Sequence, residues 1–339
     1  MITYTLPPAL IAQHPLGERA SSRLFVVDRG GQTLQHRRFS ELGKFLRAGD
    51  CLVLNDTKVI PARLLGQRLT GGQVELLLLR QGPQDGTYWC LSRPARRLMP
   101  GTRVTFDHGS LTGGIVEQGE GAKRLVQFEA SEGLTVRLEI IGQMPLPPYI
   151  RRPPTPDDRI RYQTVYAVRP GAIAAPTAGL HFTQVLLDEL RGLGVRIAFV
   201  TLHVGYGTFK PVTGEELASG RLHAEWYDLP QETAEMINGT KAGGGRVVAV
   251  GTTTCRVLET CVGPASGVAP GSGWTELFIR PGFEFRVIDG LVTNFHLPGT
   301  SLLMLVVALA GEALTVRAYE TAVAERYRFY SYGDAMLIV

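Results

Sequence analysis

The feature that most constrains this 339-residue sequence is a block of short β-forming runs between Ala62 and Gln127 with no long helix among them. Ala62–Leu69, Val74–Leu79, Tyr88–Ser92, Arg103–Phe106 and Leu125–Phe128 are separated by turn formers, among them Gly71-Gly72 and Gly113-Gly114. Evenly spaced short strands with turn signals predict a small barrel or sandwich. The flanks follow another rule. Leu24–Asp28 and Asp50–Leu54 read as strands and Phe39–Leu46 as a helix. After the block, helices over Val185–Leu193, Gln231–Lys241 and Leu302–Ala310 alternate with strands over Arg196–His203, Arg246–Thr252 and Thr275–Ile279. Alternation of this kind predicts an α/β layer. The expected fold is an α/β main domain, residues 1–61 and 152–339, interrupted by an inserted all-β small barrel, residues 62–151. A length of 339 suits two domains. The proline-punctuated stretch Pro145–Asp158 reads as the return linker, with the boundary near Arg151.

Composition narrows the class. Cys51, Cys90, Cys255 and Cys261 form no CxxC pair and sit among apolar residues, as reduced buried thiols do. The first 20 residues lack a basic segment followed by an apolar one, and the longest apolar stretch, Leu302–Ala310, is too short to span a bilayer, so a cytoplasmic protein is expected. Charge is unevenly spread: residues 1–155 hold 20 Lys/Arg against 13 Asp/Glu, and residues 156–339 hold 15 against 18. A basic half suits a nucleic-acid partner, because Lys and Arg neutralise phosphates, although solvated faces look the same.

Three glycine-rich stretches can approach a ligand closely. Gly171–Phe182 is a run of small residues that includes Pro176, Thr177 and Gly179 and ends at His181. Taken alone it reads more readily as a tight packing loop with His181 capping a helix. Gly205-Tyr-Gly207-Thr208 and Gly251-Thr252-Thr253 offer N–H groups and hydroxyls that suit a ribose, a carboxylate or an adenine edge, and ordinary strand-end turns share that composition. His181, His203, His223 and His296 each follow an apolar residue near a predicted strand end, which suggests one polar cleft at the carboxyl edge of a sheet. A metal-dependent hydrolase is the rival reading of four histidines, but no HExxH or other close ligand pair occurs. An RNA-binding scaffold without catalysis is the other rival.

Several stretches carry a resemblance. Arg161-Tyr162-Gln163-Thr-Val-Tyr166-Ala167 and Ala174–Phe182 resemble the hallmark segment of the queuosine-pathway S-adenosylmethionine:tRNA ribosyltransferase-isomerases. Asn55–Arg63, Thr201–Val212, Thr293-Asn294-Phe-His296-Leu-Pro298 and Tyr327–Met336 are similar to the same family in the same order, so the resemblance covers most of the chain. Thr5 and Ala20 stand where the family commonly has Asp, and Leu222 where it has Met; none removes a candidate catalytic group. The resemblance implies S-adenosylmethionine as a consumed co-substrate that donates its ribosyl moiety, with no bound cofactor and no metal. It implies as acceptor the aminomethyl group of a 7-deazaguanine in tRNA of GUN anticodon, epoxyqueuosine-tRNA as product, and a monomer or weak oligomer. Arg161, Tyr162, Gln163, Tyr166 and Asn294 then join the glycine-rich stretches as substrate-binding residues. The four histidines become candidate acids and bases, with Glu225 or Asp334 to orient one or to offset the sulfonium charge. Arg93, Arg96 and Arg97, the densest cationic cluster of the inserted domain, and Arg151-Arg152 at its return are the candidate tRNA contacts.

Overall fold

The computed structural model of the chain describes residues 3–129, 133–209, 211–264 and 267–339, and the side chains of Thr208 and Phe209 lie outside that description. Two compact units result: residues 1–58, 148–152 and 161–339 form the first, and residues 59–147 and 153–160 the second. The first opens with β1 (Arg23–Asp28), β2 (Thr33–Arg38) and β3 (Cys51–Asn55), followed by the short β4 (Thr57–Val59). The second holds β5 (Arg63–Arg68), β6 (Gln73–Gln81), β7 (Thr87–Arg93), β8 (Arg103–Phe106), β9 (Leu111–Gln118), β10 (Lys123–Glu129) and helix α1 (Leu134–Ile141). Beyond the short α2 (Asp158–Arg161) come β11 (Arg169–Ala172), α3 (Gln184–Gly192), β12 (Arg196–Leu202), α4 (Gly214–Ser219), β13 (Arg221–Leu229) and α5 (Gln231–Ala242). The chain closes with β14 (Val247–Val250), α6 (Thr252–Thr260), β15 (Gly271–Leu277), β16 (Gly290–Asn294), α7 (Ser301–Ala310), α8 (Glu312–Ala324) and β17 (Ala335–Ile338).

The first unit is built on a nine-stranded sheet of order β15-β13-β12-β3-β14-β16-β17-β1-β2. Its centre, β12-β3-β14-β16, is parallel, and β13, β15 and β2 add antiparallel margins. Central strands read as unbroken apolar runs because both faces are covered. In β3, Leu52 and Leu54 join Phe39, Leu42, Leu186 and Leu190 on one face, while Cys51 and Val53 join Ile237, Val257 and Leu258 on the other. α7 and α8 pack into the latter core, and among the described residues no single helix is long and apolar enough to cross a membrane.

The second unit is a closed antiparallel barrel of order β10-β7-β6-β5-β8-β9, as the regular strand spacing predicts. Gly113-Gly114 corrects that prediction in one place: the pair lies inside β9 and not in a turn. A Cβ at Gly113 would stand 3.1 Å from Val126 Cγ1 and 3.3 Å from Val104 Cγ2, so this glycine admits neighbouring strands to close contact. A second correction concerns Arg246–Thr252. The strand stops at Val250, Gly251 turns the chain with φ of 90°, and Thr252 begins α6. The predicted helix over Phe39–Leu46 is a 3-10 helix over Phe39–Phe45. All four cysteines are free and buried, as their apolar surroundings predict.

Candidate active site

The carboxyl ends of β12, β3, β14 and β16 lie along one edge of the parallel centre, and the chain passes from β12 on one side of β3 to β14 on the other. Ligands of open α/β sheets bind at such a switch point. Asn55, the last residue of β3, organises it. Its Nδ2 donates to the Leu202 carbonyl at 3.0 Å and to Thr253 Oγ1 at 3.2 Å, and its Oδ1 accepts from the Leu202 and Thr57 N–H groups, both at 3.1 Å. The sequence reading did not single out Asn55 as a site residue, though it opens one of the family-like stretches.

His203 follows β12. Its Nδ1 lies 2.8 Å from Thr57 Oγ1, and its ring stacks on Trp226 with centroids 5.0 Å apart. Gly171 lies against the other nitrogen: a Cβ there would fall 2.7 Å from Nε2. His203 is half-buried, and burial first, then Arg169, hold its pKa below the ordinary 6.5. The ring is therefore neutral near pH 7, oriented through Nδ1, and partly open to solvent.

His181 and His296 are differently placed. Asn294 Nδ2 donates to His181 Nε2 at 3.0 Å, which leaves Nδ1 to donate to Ser22 Oγ at 2.8 Å. Asn294 Oδ1 accepts from Thr177 Oγ1 at 2.9 Å, so three predicted site residues share one network. His296 Nε2 meets Thr293 Oγ1 at 2.7 Å, and its backbone bonds Tyr4 and Tyr319. Burial pushes both histidines down to about 3. Both thus stay neutral when folded but bind a proton near pH 6.5 when unfolded, so stability is complete above pH 6.5 and declines as pH falls toward 3. Between pH 7.5 and 5.5 the two together are expected to remove about 3 kcal/mol from the unfolding free energy. Denaturant unfolding at the two pH values measures this, and an unchanged midpoint would contradict the two neutral networks.

The remaining candidates separate. No described hydrogen bond joins any two of the four histidines, so they do not form one directly bonded cluster. His223 is exposed, 3.8 Å from Glu216 and beside Gly207. Glu225 accepts from the Gly205 N–H at 2.7 Å and pairs with buried Arg256. Arg256 also donates to the carbonyls of Leu277 and Thr275. Asp334 accepts from the N–H groups of Arg23 and Arg328 and pairs with Arg23 at 3.1 Å. Its described partners are arginines, not a histidine, and it fastens β1 to the chain before β17. Arg161 donates to the carbonyls of Leu16 and Gly17, a structural tie. Gly251 caps α6, where Thr252 and Thr253 are buried, and Thr208 lies outside the described side chains.

Tyr162, Tyr166 and Thr164 are buried and Gln163 is half-buried. Thr164 Oγ1 and the hydroxyls of Tyr166 and Tyr330 are buried without a hydrogen-bond partner among the described residues. Gly179, next but one to His181 and three residues after Pro176, lies under Tyr166, where a Cβ would fall 2.1 Å from the phenol oxygen. Native proteins leave few such groups unpaired, and these are donors that substrate hydroxyls or ring nitrogens can satisfy. In the second unit, Arg93 ends β7 and Arg96 and Arg97 occupy a 3-10 turn; all three are exposed, with no carboxylate paired to them among the described residues. Arg151 and Arg152 belong to the first unit; Arg151 is exposed, and Arg152 donates to the Gln13 carbonyl.

Comparison with known proteins supplies what geometry does not. A family model described as "Queuosine biosynthesis protein" matches residues 1–338. The S-adenosylmethionine:tRNA ribosyltransferase-isomerase of Syntrophotalea carbinolica is 51% identical over 337 residues, 99% of this chain and 98% of that protein. The protein of the same name from Acetivibrio thermocellus is 51% identical over 338 residues, again 99% and 98%. This chain belongs to the S-adenosylmethionine:tRNA ribosyltransferase-isomerase family. A crystal structure of S-adenosylmethionine tRNA ribosyltransferase from Thermotoga maritima is 38% identical, covers 99% of both chains and superposes with a TM-score of 0.57. The family read from the motifs is therefore the one that the whole chain matches, and the protein is an enzyme of queuosine biosynthesis.

Proposed function

We propose that the enzyme transfers and isomerises the ribosyl moiety of S-adenosylmethionine onto the aminomethyl group of 7-aminomethyl-7-deazaguanine in tRNA of GUN anticodon. The product is epoxyqueuosine-tRNA, with adenine and methionine released. The observation that carries this reading is identity near one-half over 99% of the chain to relatives named for that reaction. We place it in the cytoplasm, acting as a monomer and consuming S-adenosylmethionine as co-substrate.

The carboxyl edge of the parallel centre has the groups that the chemistry needs. A sulfonium acidifies the adjacent ribose 5′-carbon, and a neutral imidazole removes that proton well near pH 7. His203 is the candidate base: Thr57 and Trp226 hold its ring, its Nε2 makes no described hydrogen bond, and it is the half-buried one of the three with lowered pKa. Thr177, Asn294 and His181 form a fixed neutral network, and Tyr166 and Thr164 add donors without a hydrogen-bond partner among the described residues, which together suit the ribose hydroxyls and the adenine edge. The buried Glu225–Arg256 pair fixes the Gly205 loop beside this edge.

Arg93, Arg96 and Arg97 serve as phosphate contacts. Exchange of all three for glutamine is expected to weaken tRNA binding about tenfold near 0.1 M salt and to reduce the slope of log affinity against log salt by about 2. Fluorescence anisotropy with labelled tRNA measures both, and an unchanged affinity and slope would remove the three from the interface.

A further inference from the structure

Arg124, in β10, is buried to 2% exposure, and its described partners include no carboxylate. Every described bond of its guanidinium goes to a backbone carbonyl. Nε donates to the Leu98 carbonyl at 2.5 Å and Nη2 to the Ala95 carbonyl at 2.6 Å. Nη1 donates to the carbonyls of Lys123 at 2.7 Å and Gly121 at 3.0 Å. The Ala95 and Leu98 carbonyls bracket Arg96 and Arg97. Ser92, in β7 just before that loop, adds a further tie, its N–H and Oγ both donating to the Ala122 carbonyl at 3.0 Å.

A buried cation without a counter-ion is costly, and an apolar side chain would fill this barrel position with less penalty. What arginine adds is a rigid five-donor fork that fastens two loops at once, together with a positive charge, paired to no carboxylate among the described residues, beneath an exposed basic turn. Ordering a loop before binding removes the entropy loss that a mobile one would suffer at the interface. We propose that Arg124 is the positioning residue of a preformed phosphate-binding loop, residues 93–98, which presents Arg96 and Arg97 to the tRNA backbone without touching the nucleic acid itself. The inference rests on the reading of Arg93, Arg96 and Arg97 as tRNA contacts.

The test is a double-mutant cycle read by tRNA affinity across about 50 to 200 mM salt, the range over which phosphate contacts show themselves. Arg124→Lys keeps the charge with fewer donors and is made alone and in the Arg93→Gln/Arg96→Gln/Arg97→Gln background. Alone, it is expected to weaken binding about tenfold; in the triple background it is expected to change affinity less than about twofold, because the residues it positions are gone. A full tenfold loss in both backgrounds would show a general structural effect and overturn the proposal, as would wild-type affinity of the single variant. If instead the triple variant binds tRNA like the wild type, the underlying interface reading fails, a separate outcome. Should the lysine variant not fold, amide hydrogen exchange of the wild type decides: protection of Arg97 and Leu98, which donate to the carbonyls of Pro94 and Ala95, is expected in the free enzyme. Unprotected amides there would contradict a preformed loop.

Discussion

Glutamine in place of His203 is expected to lower the single-turnover rate of adenine release by about 100- to 10,000-fold, the range that a positioned general base contributes. Glutamine can keep a hydrogen bond to Thr57 and much of the stacking on Trp226, so folding should survive and the loss should fall on chemistry. Because burial and Arg169 lower the His203 pKa, the acid limb of the wild-type pH–rate profile should have its midpoint below 6.5, and that limb should vanish in the variant. A rate within a few-fold of wild type would return the role of base to another group.

Arg256→Met is expected to destabilise the first unit by about 3–5 kcal/mol, because it breaks the buried Glu225–Arg256 ion pair by removing one partner. The thermal midpoint should fall by about 10 °C. Glu225→Met combined with Arg256→Met should recover more than half of that loss, since an apolar pair suits the same space. The Gly205 N–H would still lack its acceptor in the double variant, so activity should stay low while stability returns. Additive loss of stability in the double variant would show that the two residues do not act as a pair.

The parts of the fold legible in the sequence are those with one dominant local cause. β3 and β14 are short apolar runs because both faces of the central sheet are covered, and the barrel strands keep regular spacing between turns. β13 escapes such reading: Arg221–Leu229 mixes charged, aromatic and apolar residues because it lies toward the margin of the sheet. α6 begins with three threonines, poor helix formers that resemble a strand-end loop, and burial outweighs their preference. At the site, His203 and the small-residue run before His181 stood out by residue type. Asn55 and Arg256 did not, because an amide or guanidinium bonded to backbone carbonyls distant in sequence leaves no local pattern. Grouping by type also joined histidines that the fold separates, with His181 and His296 in neutral networks and His223 in solvent.

The central claim is the reaction itself. Incubating the enzyme with S-adenosylmethionine and tRNA carrying 7-aminomethyl-7-deazaguanine, then following adenine release and the mass of the digested nucleoside, tests it most directly. Adenine release matched by a nucleoside mass gain of the transferred ribosyl unit is the predicted result. No adenine, or a gain of one methyl group, would contradict it.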